Sequence, residues 1–249
     1  HSNLGGLGPD LHAPPSIRVV NVASLFEADG SPIHLDLEVT NRTAYTPNNP
    51  TWNGLNGKLA QINLACNTQA ALRVTLLRSC ASAPSCNACT DPTFSLGERI
   101  ACYAAGCACY GVTVYTEAAC TGPQAEQQRR QYGCEAAADR VVLPRESLVT
   151  LTVLDFDTGQ GGQTIEQLVV PNYEYFRTPA RPASGNQISS TVYVNEALRL
   201  FTSTASGGVG GSNNPTDPQA LTDEQASMTV QFFFRPQNGF VDFTFSLTY

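Results

Sequence analysis

Alternating apolar and polar residues are the dominant pattern along most of this chain. In residues 33–40 the side chains of Ile33, Leu35, Leu37 and Val39 fall on one face of an extended strand, with polar residues on the other. Similar segments, separated by turn residues, predict about eleven strands and therefore an all-β fold, an antiparallel β-sandwich. The predicted strands cover residues 17–26, 33–40, 58–65, 71–77, 110–116, 148–156, 164–170, 188–194, 197–204, 229–234 and 240–248.

Residues 78–135 break this strand pattern. Ser95 and Glu98 have the spacing of a capping box, and the helix that they predict runs over 99–105 to a glycine. A second short helix is predicted over 124–132, again ended by glycine. We interpret the segment as an insertion with short helices in a β framework.

The first 16 residues are rich in glycine and proline and show no periodicity. They predict an extended N-terminal arm before a single domain over 17–249. The arm is either a disordered tail or a segment that packs on a neighbouring subunit. The chain begins at His1 without a methionine, which suggests a removed leader or a fragment of a longer chain.

Cysteine is confined to one part of the chain. Disulfides in an oxidising compartment explain the cluster better than a zinc site, since only one C-x-x-C pair is present. Nine is an odd number, so at least one thiol is left outside intrachain bridges. The cysteines are Cys66, Cys80, Cys86, Cys89, Cys102, Cys107, Cys109, Cys120 and Cys134.

Secretion is also consistent with composition. Charged residues make up 14% of the chain, and Asn41-Arg42-Thr43 is an N-glycosylation sequon, which makes Asn41 a predicted glycosylation site. The formal net charge of −7 argues against nucleic-acid binding. No apolar run is long enough for a transmembrane helix. We expect an extracellular or cell-surface protein.

Sequence motifs for catalysis are lacking. The three histidines stand at positions 1, 12 and 34, and there is no G-x-S-x-G nucleophile elbow. Carboxylates for glycoside hydrolysis are available in predicted strands, but strands usually turn such residues to solvent. The carboxylates are Asp36, Glu38, Asp155, Asp157 and Glu166. We expect a protein that is not an enzyme.

One predicted strand ends in the string Asp155-Phe-Asp157 before a glycine-rich loop. The string resembles the aspartate–aromatic–aspartate motif of C2-like sandwiches, and strand 17–26 leading to Asp29 is similar to an earlier strand of that family. The chain as a whole also resembles secreted β modules of microalgal and protist cell surfaces. The resemblance implies Ca²⁺ held by Asp29, Asp155 and Asp157. The alternative is that Asp155 and Asp157 only cap a tight turn through Asx-type hydrogen bonds.

Aromatic residues in turn-rich segments suggest a glycan as a second partner. The candidates are Trp52 with Tyr45, and the run Tyr173-x-Tyr175-Phe176, although single surface aromatics usually serve packing.

The ends of the chain suggest self-association. Strands 229–234 and 240–248 are either central strands or a terminal segment that completes a neighbour's sheet. We therefore predict a secreted structural or adhesive protein that assembles into a filament, appendage or matrix. The alternative is a Ca²⁺-dependent module that binds glycans or membrane surfaces.

Overall fold

The computed structural model of the chain consists mainly of antiparallel strands with few helices, which confirms the all-β prediction. The structure describes residues 1–26, 30, 32–56, 59–78, 95–104, 107–109, 112–114, 140–207, 214–235 and 238–249. Two compact units are present. The first comprises residues 1–17, 39–75 and 142–249, and the second comprises 18–38 and 76–141.

The described elements follow one another mostly as strands. The strands are β1 (Ser16–Phe26), β2 (Pro32–Asn41), β3 (Gly54–Asn56), β4 (Leu59–Gln61), β5 (Thr68–Arg78), β6 (Cys107–Cys109), β7 (Val112–Val114), β8 (Val149–Val153), β9 (Ile165–Val169), β10 (Tyr175–Arg177), β11 (Val192–Asn195), β12 (Leu200–Ser203), β13 (Val230–Phe234) and β14 (Phe240–Thr248). The α-helices are α1 (Leu96–Ala104) and α2 (Asp223–Ser227), and 3-10 helices cover Leu4–Gly6, Pro50–Trp52, Gln160–Gly162 and Glu196–Leu198.

In the first unit the C-terminal strand β14 is a central strand. It pairs antiparallel with β5 on one side and with β9 on the other, and β12 and β11 follow β9. Val241, Phe243 and Phe245 are its buried side chains. Of the two interpretations of the chain end, the central strand is confirmed, and donation of β14 to a neighbour is wrong because both its edges are already paired.

A three-stranded sheet in the same unit has the order β10-β13-β8. Its strand β13 buries Phe232 and Phe234, while the residues between them stay partly exposed. The Phe232 ring meets Phe201 of strand β12 edge-on at 4.7 Å between ring centroids, and Phe201 meets Phe176 at 5.0 Å. Aromatic contacts therefore fill the space between residues of the two sheets.

The N-terminal segment is not an extended arm. Leu4 is fully buried, and its carbonyl accepts a hydrogen bond from the Asn53 side chain. Ser2 forms a β-bridge with Ile17, and the buried Asn3 side chain binds the backbone at residues 8 and 13. Of the two alternatives for residues 1–16, the disordered tail is wrong for residues 1–8, because these pack within their own unit. Packing of the arm on a neighbouring subunit stays a prediction.

In the second unit, β1 and β2 are neighbours. Asp36 was expected on a solvent face of β2, but it is buried, and the Arg18 guanidinium donates to it at 2.9 Å. The alternation of apolar and polar residues therefore predicts the strand but not the burial of its polar side chains. A carboxylate can be buried when a cation such as Arg18 replaces water as its partner. Three apolar side chains of β1 remain exposed instead: Val20, Val22 and Phe26.

The predicted insertion falls within 76–141 of the second unit, where the described elements are α1, β6 and β7. Helix α1 begins after Ser95, whose amide donates to the Glu98 carboxylate and whose hydroxyl accepts from the Glu98 amide at 3.4 Å, so this capping box is confirmed. The second predicted helix, 124–132, lies outside the described residues. No described helix is long and apolar enough to cross a membrane.

The described part of the chain contains no disulfide. Cys66 is half-buried and unbridged. The other eight cysteines stand at positions whose side chains the structure does not describe, so their disulfides stay a prediction.

Candidate functional site

The candidate site lies in the connection between β8 and β9, within the first unit. The strand was predicted to continue to Phe156 and to present Asp155 and Asp157 on one face. It ends at Val153 instead, and Asp155 has a left-handed backbone with φ +58°. Asparagine and aspartate are the non-glycine residues that adopt this conformation most readily.

Asp157 caps the turn that follows. One of its carboxylate oxygens accepts a 2.6 Å hydrogen bond from the Gly159 amide, which is the Asx-type arrangement expected as the alternative to a metal ligand. The other oxygen lies against Gly207, where a Cβ atom would overlap it. The Thr158 amide also donates to the Ala205 carbonyl, so this turn is held close to residues 205–207.

Glu166, near the start of β9, brings a third carboxylate to this place. Its carboxyl group lies beside the backbone of Asp157, and its own amide donates to the Ser203 hydroxyl at 2.9 Å. Burial and the charges of Asp157 and Asp155 raise the pKa of Glu166 well above its ordinary value. The residue as a whole remains partly exposed, whereas its carboxyl group is surrounded by protein.

Of these three carboxylates, Asp155 is the one with a buried oxygen that lacks a hydrogen-bond partner. Burial and the neighbouring Asp157 raise the pKa of Asp155 to about 6, and burial also raises the pKa of Asp157. The Oδ1 atom of Asp155 is buried without a hydrogen-bond partner. We call Asp155, Asp157 and Glu166 the acidic cluster.

The acidic cluster can take up positive charge. A buried carboxylate without a counter-charge is unfavourable, and either a proton or a hard cation relieves the repulsion. In the described residues, however, no group of three or more His, Cys, Asp or Glu side chains is arranged to hold a metal ion. A Ca²⁺ ion there would need backbone oxygens or water among its ligands.

The other predicted site residues lie elsewhere. Asp29 lies outside the described residues. Asn41 ends β2, and its side-chain amide donates to the Thr43 carbonyl. Asp36 pairs with Arg18 and does not join the acidic cluster, and Glu38 lies on the same strand β2.

Only part of the predicted aromatic surface exists. Tyr45 is buried, its hydroxyl donates to Asn53, and burial raises its pKa. Tyr173 is also buried, whereas Trp52 and Tyr175 are exposed.

Glu166 was expected only as one of the carboxylates in predicted strands, and nothing in the sequence places it beside Asp155 and Asp157. Asp157 and Glu166 are nine positions apart in the sequence, and the geometry of the turn between them brings the two together. Comparisons of the chain with protein-family models, with curated proteins and with solved structures find no match.

Proposed function

We propose that this is a secreted, non-enzymatic structural protein that associates with copies of itself through strand β1. The observation that carries the proposal is the row of exposed apolar side chains on this strand. Val20 is 65% exposed and Phe26 is 75% exposed, with Val22 between them. Because these three side chains are two and four positions apart, they share one face of the strand.

The backbone of β1 supports the same proposal. Among the described strands, β2 is the one that pairs with β1, and Ser2 bridges Ile17 near the start of the strand. Edge strands are commonly protected by charged residues or proline, but the only charged residue of β1 is Arg18, which is buried against Asp36. Beyond Ile17, where the bridge to Ser2 ends, β1 is an edge strand with an apolar face and no exposed charge, which favours pairing with another chain.

A variant of β1 tests the proposal. The triple change Val20→Thr, Val22→Thr and Phe26→Thr keeps β propensity and removes the apolar face. We expect the wild type to form oligomers or fibres in sedimentation velocity and negative-stain electron microscopy, and the variant to be monomeric with an unchanged circular dichroism spectrum. Leu198→Ser, at a 63% exposed position of the first unit, is the control and should assemble like the wild type. A monomeric wild type at all concentrations refutes the proposal.

A β-sandwich is the architecture that we propose for the first unit. It is supported by the edge-on contacts between Phe201 of one sheet and Phe232 of the other, and by alternating burial along β13. Side chains that interdigitate between two antiparallel sheets are the core of such a fold.

A second candidate function is Ca²⁺-dependent binding, because the acidic cluster holds a buried oxygen of Asp155 without a partner. Ca²⁺ accepts carboxylate and carbonyl oxygens in irregular geometry, which suits a turn rich in backbone oxygens. Asp155 and Asp157 would be ligands as the sequence predicted, and backbone oxygens or water would supply the others.

Thermal unfolding with millimolar Ca²⁺ and with EDTA tests this function. We expect Ca²⁺ to raise the Tm of the wild type and to have a smaller effect on Asp155→Asn. Glu196→Gln, which changes an exposed carboxylate outside the cluster, should keep the full response. Equal Tm values for the wild type in Ca²⁺ and in EDTA refute Ca²⁺ binding and leave self-association untouched.

A further inference from the structure

The outward face of the three-stranded sheet carries two aromatic rings and an arginine. Tyr175 of β10 pairs with Phe233 of β13, which pairs with Thr150 of β8. Two residues along, Arg177 pairs with Gln231, which pairs with Thr152. We call these six residues the aromatic–arginine face.

The two rings form a stack. The centroids of Tyr175 and Phe233 are 4.3 Å apart and the rings are nearly parallel, at 13°. Tyr175 lies on the outer strand of the sheet and is 40% exposed. Because Phe233 covers one side of the Tyr175 ring, the exposed part is the other side and the edge, which gives a flat surface fixed in direction.

Arg177 is an exposed cation beside this surface. Its guanidinium carbon lies 5.3 Å from the Phe233 centroid and 5.9 Å from the Tyr175 centroid, so the rings contribute to its orientation. Among the described residues, no carboxylate forms an ion pair with it. An arginine that is held in place without a carboxylate partner is suited to bind an anionic ligand group.

Hydroxyl and amide groups complete the face. The Gln231 side-chain amide donates to the Thr152 hydroxyl at 3.4 Å, and Thr150 stands in the adjacent row. A nearby arginine, Arg235, is already engaged by Glu146 and Glu174. Arg177 is therefore the cation that this face offers to a ligand.

We propose that the aromatic–arginine face binds an acidic glycan, one that carries carboxylate or sulfate groups. The C–H groups of a pyranose ring carry partial positive charge and pack against the negative face of an aromatic ring. The sugar hydroxyls match the amide of Gln231 and the threonine hydroxyls, and the anionic group matches the Arg177 fork. This site is separate from the acidic cluster and from the β1 surface, and it rests on neither proposed function.

Affinity electrophoresis in gels that contain a polysaccharide tests the proposal. The probes are polygalacturonate, which carries carboxylate groups, and dextran sulfate, which carries sulfate groups. Uncharged dextran is the control for dextran sulfate. We expect one or both acidic polymers to retard the wild type and dextran to leave it unchanged. Tyr175→Ala and Arg177→Gln should each weaken binding about tenfold, while Tyr175→Phe keeps the ring and should restore retardation.

Two control variants separate this site from general surface chemistry. Tyr193→Ala changes another exposed tyrosine, and Arg181→Gln changes another exposed arginine. Both should bind like the wild type. The proposal is overturned if neither acidic polymer retards the wild type, if dextran retards it equally, or if the control variants lose as much binding as those at positions 175 and 177.

Discussion

Asp155 combines a left-handed backbone with a carboxylate that has lost most of its water. Burial and Asp157 raise its pKa from 3.8 to about 6, so the folded protein binds the proton more tightly than the unfolded chain. The free energy of unfolding must then fall as the pH rises from about 4 to about 6. At neutral pH the destabilisation by the ionised Asp155 is fully present.

Asp155→Asn should remove this cost, since asparagine tolerates φ +58° and carries no charge. We expect the variant to be more stable than the wild type by about 3 kcal/mol at pH 7.5 in EDTA, and equally stable at pH 3.5. Urea unfolding at the two pH values measures the difference. Asp223→Asn is the control, because hydrogen bonds from Ser184 and Asn186 lower the pKa of Asp223 and its replacement cannot stabilise the protein in this way. A stability difference for Asp155→Asn that is the same at both pH values contradicts the argument.

Asp157 and Asp36 show what sequence can reveal about single residues. The Asx bond of Asp157 to Gly159 was predictable, because it depends on residues only two positions apart. The burial of Asp36 was not, because its partner Arg18 lies on another strand. The contribution of Glu166 to the acidic cluster was missed for the same reason.

Strands β5 and β14 are joined by a cross-strand ion pair. Arg73 and Asp242 stand directly opposite each other, and two hydrogen bonds of 2.7 Å link the guanidinium to both carboxylate oxygens. The guanidinium carbon also lies 3.5 Å from the centre of the Phe240 ring. Bidentate geometry with an aromatic neighbour makes this pair stronger than an ordinary surface ion pair.

A double-mutant cycle with Asp242→Asn and Arg73→Met should show a coupling of about 1 kcal/mol in the free energy of urea unfolding. The pair is partly exposed, so salt screens it, and the coupling energy should be smaller in 1 M NaCl than in low-salt buffer. Arg235 and Glu146 provide the comparison, since their 3.5 Å contact involves an 88% exposed glutamate and should show no measurable coupling. Equal coupling in the two cycles would refute the argument.

At the scale of elements, capping residues and alternation predicted helix starts and the long strands, but not the three-residue strand β10. The Thr222 hydroxyl and the Gln225 side chain form the capping box of α2, where sequence predicted one helical turn. β14 spans the predicted residues 240–248, whereas β10 was missed, because three residues are too few to show alternation. Strand 58–65 was predicted too long, and only Leu59–Gln61 pairs as β4.

At the scale of the whole molecule, the alternation of apolar and polar residues predicted the fold class but not which strands pair with each other. Nothing in residues 240–248 indicates that β14 lies between β5 and β9, because both partner strands are distant in the sequence. The N-terminal segment was misjudged for a related reason. Its buried Leu4 packs in a segment whose glycine and proline content resembles a free tail, and only long-range contacts such as that with Asn53 fix it.

Cys66 connects the odd cysteine count to the fold. It is half-buried, unbridged and placed in the first unit, whereas the other eight cysteines all fall within residues 76–141 of the second. Eight cysteines in one unit can close four disulfides and leave Cys66 as the single thiol. A thiol assay of the non-reduced, fully denatured protein should therefore give one thiol per chain. Cys66→Ser should give none and keep the same Tm, because the half-buried thiol forms no bond. Eight or nine thiols per chain would instead show that the cysteine-rich segment is reduced and that the prediction of an oxidising compartment is wrong.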